Sequence, residues 1–345
     1  MKILFHYLLS IIVVFFTLSM CQGQNLSLYD IDTKNFPVIK AKVLAFDRNN
    51  NRETLQKSDI KVTENGIPRA VTDVQCPAPS EKSTCSVAMS FDVSGSMTMK
   101  NSMVTSPIEL AKLTALTMLQ VVLQQNTELA VQTCNDVPLL LQDFTPNIDK
   151  IQRSISLINA KGSDNYTAQL LHQLAGAVTI AKKGIFNRSV VVFTDAFAQD
   201  IPLDVVNKIL DTCSYYKIRF IVLEYSNAYR DNSALARTLR DICIKTGGHY
   251  IEEITSPEKA QSAALLLRDL AYGDEPCEIT WTSGYFCNRD VAKIICSKGN
   301  VHDTAEYEPP ITSLATMNFF PKIVSFGEQI PGGSYDLSLS LTAYN

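Results

Sequence analysis

The chain has 345 residues, and its 31 Lys and Arg against 35 Asp and Glu give a formal net charge of -4. That length supports two or three domains around a sizeable core. The slightly acidic balance, with no basic stripe, argues against a nucleic-acid partner.

Residues 1–23 read as a secretory signal: Lys2 precedes an apolar run over residues 3–20, and small or polar residues follow. The run is also long enough to span a bilayer, so an uncleaved anchor is the competing reading. Leu18-Ser19-Met20-Cys21 resembles a bacterial lipoprotein cleavage box. Met20 fits that box poorly, so cleavage after Gly23 and a secreted or cell-surface protein are expected. No later apolar segment is long and uncharged enough to span a bilayer. Nine cysteines are present, and the eight beyond Cys21 permit disulfides in an exported chain. Pairing of Cys76 with Cys85 would staple the Pro- and Ser-containing linker between them. Cys277, Cys287 and Cys296 lie close together with no readable connectivity, and no C-x-x-C pair suggests zinc or redox work.

Residues 24–83 form a β-rich N-terminal segment. Residues 38–46 alternate partly, and residues 60–63 run into Glu64-Asn65-Gly66, a hairpin signal, with residues 69–74 returning. Too few strands lie here to close a sandwich alone. From residue 84 to 272 strands and helices alternate. Residues 107–124 read as a buried helix, apolar on most faces. Residues 128–133 and 137–141 suit strands, and Leu170, Leu174, Ala177, Val178 and Ala181 mark one helix. Ser189-Val190-Val191-Val192-Phe193 is a continuous β-branched run of the kind central parallel strands use. The alternation continues through 202–215, 218–223, 234–245, 249–251 and 258–270. The predicted fold is α/β, a doubly wound, mostly parallel sheet. Cys213 and Cys243 fall on the helices flanking the 218–223 strand, where a disulfide and two buried thiols are equally expected. Residues 276–310 are β-like again and are expected to complete the N-terminal sandwich around an inserted α/β domain. Residues 311–345 read as the start of a further, incomplete β-sandwich module, which would make the chain a fragment.

The chemistry concentrates at one strand end. Residues 86–91 are apolar in the main, then Asp92, Ser94 and Ser96 offer oxygen groups at alternating positions. Hard cations such as Mg²⁺ take oxygen ligands and retain waters, and open α/β sheets bind ligands beyond the carboxyl ends of their strands. Alone the pattern describes a polar turn with Asp92 capping the next helix. Two later stretches shift the balance: Thr194-Asp195 ends the second apolar strand, and Lys161-Gly162-Ser163-Asp164 precedes the helix leading to it.

The set Asp92, Ser94, Ser96, Ser163 and Asp195 resembles the metal-ion-dependent adhesion site (MIDAS) of von Willebrand factor type A domains, over about residues 84–272. The outer segments look like those of exported bacterial proteins carrying this domain, and Val324-Ser325-Phe326-Gly327 with Pro331-Gly332 resembles hydin-like sandwich repeats. The resemblance implies that Ser94 and Ser96 coordinate Mg²⁺, with Mn²⁺ or Ca²⁺ as alternatives. Ser163 serves where the family usually has Thr. Asp92 and Asp195 act mostly through water, and a partner's carboxylate fills an open position. Ala196 and Lys161 stand where the family favours Gly. The function implied is a non-enzymatic, metal-dependent adhesion module that binds a protein or other extracellular ligand presenting a carboxylate. The alternative is a metal-free structural component of a surface assembly. An enzyme is not expected, since His6, His172, His249 and His302 are the only histidines and Ser94 lacks a G-x-S-x-G elbow.

Overall fold

The structure, a computed structural model, describes residues 25–48, 51–78, 84–100, 103–122, 127–226, 233–284, 291–310, 316–320 and 340–344. The leader and most of residues 311–345 lie outside them. The strands that open the chain are β1 (Asn25–Asp32), β2 (Val38–Phe46), β3 (Arg52–Glu53), β4 (Lys61–Glu64), β5 (Ile67–Arg69) and β6 (Val71–Gln75). The segment after Gly66 splits at Ala70. β5 returns along β4 across the Asn65-Gly66 turn, and β6 crosses into the other sheet.

The α/β segment follows. It contains β7 (Cys85–Asp92), α1 (Pro107–Val122), β8 (Thr127–Cys134), β9 (Pro138–Thr145), α2 (Ile148–Ser156), α3 (Tyr166–Leu171) and α4 (Ala177–Ala181). It continues through β10 (Asn187–Thr194), α5 (Leu203–Tyr216), β11 (Ile218–Glu224), α6 (Ala234–Lys245), β12 (Tyr250–Ile251) and α7 (Pro257–Tyr272). Six strands form one central sheet in the order β12-β11-β10-β7-β8-β9. All neighbours are parallel except β9, which runs antiparallel to β8 at the edge.

Side-chain alternation sends each strand's residues to two cores. Val87, Met89 and Phe91 of β7, with Val191 and Phe193 of β10, pack with α1, α2 and α7. Ala88, Val190 and Val192 face α3 to α6 on the other side. The Phe91 and Phe193 rings stack at 4.3 Å. Helix α1 begins with Ser106 and Glu109 bonded, at 3.0 Å from the Ser106 N–H and 2.7 Å from its hydroxyl, and buries Leu110, Ala111, Ala115 and Met118.

The single helix expected over 170–181 is two. His172 Nδ1 accepts the Leu174 and Ala175 N–H groups, which diverts the backbone from the helical pattern. A Cβ at Gly176 would sit 2.4 Å from the His172 nitrogen, so only glycine permits the turn that starts α4.

The closing strands are β13 (Cys277–Thr282), β14 (Ala292–Lys298), β15 (Val301–Tyr307), β16 (Thr316–Phe320) and β17 (Ser340–Tyr344). β13 pairs antiparallel with both β2 and β6, and β14 pairs with β4 and β15, so strands from both sides of the α/β segment share two sheets. These sheets enclose a core around Ile39, Val43, Val62, Ile279, Trp281 and Ile294. Glu64 lies buried there and accepts from Arg69 Nε at 2.7 Å and the Tyr307 hydroxyl at 2.6 Å. β16 and β17 pair with each other.

The Cys76–Cys85 pairing that would staple the linker does not form. Cys76 is bonded to Cys277 on β13, and Cys85 opens β7 as a buried thiol beside the Thr127 hydroxyl. Register explains the choice: β6 and β13 lie side by side with Gln75 opposite Glu278, which brings Cys76 and Cys277 together. Cys213, Cys243 and Cys296 are buried free thiols, and Cys287 lies outside the described residues. Among the described residues, no helix is long and apolar enough to cross a membrane.

Candidate functional site at the carboxyl rim of the central sheet

β7 is buried along its whole length and delivers Asp92 to the carboxyl edge. Three backbone bonds then stitch the rim loops together. Val93 N–H reaches the Cys134 carbonyl at 2.9 Å, Lys161 N–H the Val93 carbonyl at 2.6 Å, and Gly95 N–H the Gly162 carbonyl at 2.9 Å. Gly162 sits at φ +95°, which an L side chain rarely adopts, and this lets the 161–164 loop fold against the first loop. The rim is thereby held by the sheet rather than by a free loop.

Around it lies a cleft of about 730 Å³, lined among others by Ser94, Ser96, Ser163, Asp164, Tyr166 and Phe197. The Ser94 and Ser96 hydroxyls are 2.9 Å apart, and the Ser94 N–H donates to Asp92 Oδ1 at 2.9 Å. The Tyr166 and Thr194 hydroxyls lie 2.7 Å and 3.1 Å from Asp92 Oδ2 and also contact each other, so their two protons are shared among the three contacts. Asp195, at the end of β10, accepts the Phe197 N–H at 3.1 Å. Burial first, and then the Asp92 charge, pushes its carboxyl up to about 7, with the Ser96 hydroxyl and Phe197 N–H pulling the other way. Burial likewise raises Asp164, helped by Asp92 and Asp136.

Asp92, Ser94, Ser96 and Asp195 are thus brought together. Ser163 lines the same cleft, but its hydroxyl bonds Asp136 from the β8–β9 turn. Lys161 is exposed and is not a lining residue. Ala196 takes φ 54°, the conformation for which glycine is the natural occupant.

The donor set is all oxygen, two small hydroxyls and two carboxylates, which is the chemistry a hard divalent cation requires. Four of the five residues fit such an ion. The fifth, Ser163, is engaged elsewhere, and Asp92 is already hydrogen-bonded by the Ser94 N–H and by the Tyr166–Thr194 hydroxyl pair. Among the described residues, no group of three or more His, Cys, Asp or Glu is placed to hold a metal.

Sequence reasoning missed Tyr166, Thr194 and Asp136. Thr194 directly precedes Asp195. Tyr166 reads as an ordinary apolar-face residue of α3, and nothing in its neighbourhood along the chain signals a partner at Asp92. Among the described residues, no histidine lines the cleft. His172 accepts backbone N–H groups of its own turn. His249 is buried against Tyr29 and held down to about 4 by burial, then by Lys42 and Arg219. The rim hydroxyls therefore have no described imidazole base beside them.

No protein-family model matches the chain, and no curated protein does. Several solved structures resemble it distantly. Protein BatB from Bacteroides thetaiotaomicron is 14% identical with a TM-score of 0.41, covering 53% of this chain and 98% of its own. The PilB minor pilin from Streptococcus sanguinis is 12% identical with a TM-score of 0.44, covering 72% and 78%. A von Willebrand factor type A protein from Catenulispora acidiphila is 9% identical with a TM-score of 0.45, covering 84% and 74%. The resemblance is to von Willebrand factor A-like α/β folds at a distance.

Proposed function

We propose that this chain is a non-catalytic, exported protein-interaction module, a structural component of a surface assembly, and that the rim cleft is its binding surface. The observation that carries this reading is the construction of the rim. Three loops are bonded to one another through backbone groups, and Phe197 stands 63% exposed beside them. A fixed polar floor next to an exposed aromatic ring is the anatomy of an interaction surface, where aromatic anchors are enriched. Internal bonding of Asp92 by Ser94, Tyr166 and Thr194 favours a site that holds its shape without an ion.

A second reading has its own observation. The paired Ser94 and Ser96 hydroxyls beside buried Asp92 and Asp195 suit Mg²⁺, Mn²⁺ or Ca²⁺. An ion bound there would recruit a partner's carboxylate, with Ser163 swinging in from Asp136.

Capture of cell-surface proteins on the immobilised chain separates these. Capture lost on Phe197→Ala and indifferent to chelator supports the metal-free module. Capture lost on Ser94→Ala and on adding chelator supports the ion-dependent one. Capture unchanged by either substitution refutes the rim as the binding surface.

A further inference from the structure

The opposite pole of the central sheet carries the opposite charge. At the amino ends of β10 and β11, helices α4 and α5 run out into Lys182, Lys183 and Lys217, all exposed. Arg188 ties these two segments together. Its Nε donates to the Gly184 carbonyl at 2.7 Å and its Nη1 to the Tyr216 carbonyl at 3.2 Å. The four cations therefore share one patch. Ile185 and Tyr215 stand in it, 73% and 81% exposed. The acids beside it are Asp211, on the last turns of α5, and Glu128, which accepts the Ile185 N–H and the Ser86 hydroxyl.

The rim is the complement of that patch in both charge and apolar character. Asp164 and Asp200 line the cleft and Asp136 flanks it through Ser163, three acids against the exposed Lys161 of the same loop, and no lysine or arginine is among the described lining residues. Phe197 and Leu203 are exposed at its edge.

We propose that the acidic rim of one chain docks on the basic amino pole of a second copy, head to tail. Phe197 and Leu203 supply apolar area against Ile185 and Tyr215, and the facing charges set register and speed encounter. Because two different patches meet, the contact is heterologous, and repetition builds a ring or a filament rather than a closed two-fold dimer. The inference rests on the rim being the interaction surface.

The test is sedimentation of the full exported chain over a concentration series, without divalent ions. The average mass should grow past the dimer, and the association should weaken tenfold or more between about 0.05 M and about 0.5 M salt, as screened charge contacts do. A pole variant, Lys182→Glu with Lys217→Glu, and a rim variant, Asp164→Lys with Asp200→Lys, should each stay monomeric. Mixing the two should restore assembly, because each reversed surface then meets a complementary one. The pair Asp164→Asn with Asp200→Asn should act in the same direction, less strongly, with less demand on the loop. A wild-type chain that stays monomeric at low salt overturns the docking. Assembly lost in the pole variant but intact in the rim variant also overturns it, and leaves the rim's role in capture to its own test.

Discussion

Asp195→Asn should remove a pH dependence that the wild-type chain carries. Asp195 is 5% exposed and lies beside Asp92, so its charged form is opposed by burial and then by a like charge. Its folded-state value is about 7, against about 3.9 for an unperturbed aspartate. An acid raised in this way binds its proton more tightly folded than unfolded. Its contribution to stability is complete below about pH 4 and is lost as the pH climbs through about 7. The full loss across that window is about 4 kcal/mol, from about 1.4 kcal/mol per pH unit. Asparagine keeps an oxygen to accept the Phe197 N–H and carries no charge. Urea unfolding of both proteins at several values between about pH 5 and about pH 8 gives the two slopes. The wild type should lose stability more steeply with rising pH. Glu224 and Glu253, raised to about 7 mainly by burial, tilt both curves alike and cancel in the difference. Equal slopes for the two proteins would refute the reasoning. Mg²⁺ added at the alkaline end should stabilise the wild type only if the ion-dependent reading holds.

Other substitutions probe other parts of the molecule. Cys76→Ser frees a link between residues 201 apart in sequence, and chain entropy sets the loss at up to about 5 kcal/mol, readable as a lower urea midpoint under non-reducing conditions. Tyr166→Phe deletes the hydroxyl that donates to Asp92 and pairs with the Thr194 hydroxyl and should cost about 1–3 kcal/mol in the same assay, with the rim's local amides exchanging faster. Glu64→Ala strips the buried partner of Arg69 and Tyr307 and should cost about 3–5 kcal/mol. Burial alone would raise Glu64, yet the Tyr307, Gly284, Ser283 and Arg69 bonds hold it below the ordinary glutamate range. Its contribution is therefore present above the unfolded value and fades in acid. The Glu64→Gln variant should show a shallower acid limb.

What could be read along the chain was whatever neighbouring residues encode together. The buried run into Asp92 and the β-branched run into Thr194-Asp195 announce strands whose ends carry acids, and those ends do lie on one rim. The α/β character of residues 84–272 follows from the same local alternation. The antiparallel direction of β9 at the sheet's edge is also encoded locally, because the three residues 135–137 between it and β8 are too few for a parallel crossover. The Tyr166–Asp92 bond joins residues 74 apart, and the Asp136–Ser163 bond residues 27 apart. Both depend on how loops settle against one another. The break at His172–Gly176 hides behind apolar spacing that a continuous helix would share. Proximity along the chain offers Cys85 to Cys76, while strand register brings in Cys277.

The clasp between Cys76 and Cys277 sets the route that mechanical load takes. The chain leaves the β sheets after β6 and re-enters them at β13, and the two ends of that excursion are covalently joined, with Cα atoms 4.1 Å apart. Tension applied before residue 76 and after residue 277 crosses the sulfur bridge and bypasses the whole α/β body. The rim, carried on such a side loop, would keep its shape under tension while the flanking strands bear the pull. Reducing the bridge would leave the hydrogen bonds between β6 and β13 to carry the load, and their failure would put β7 and α7 in the line of force.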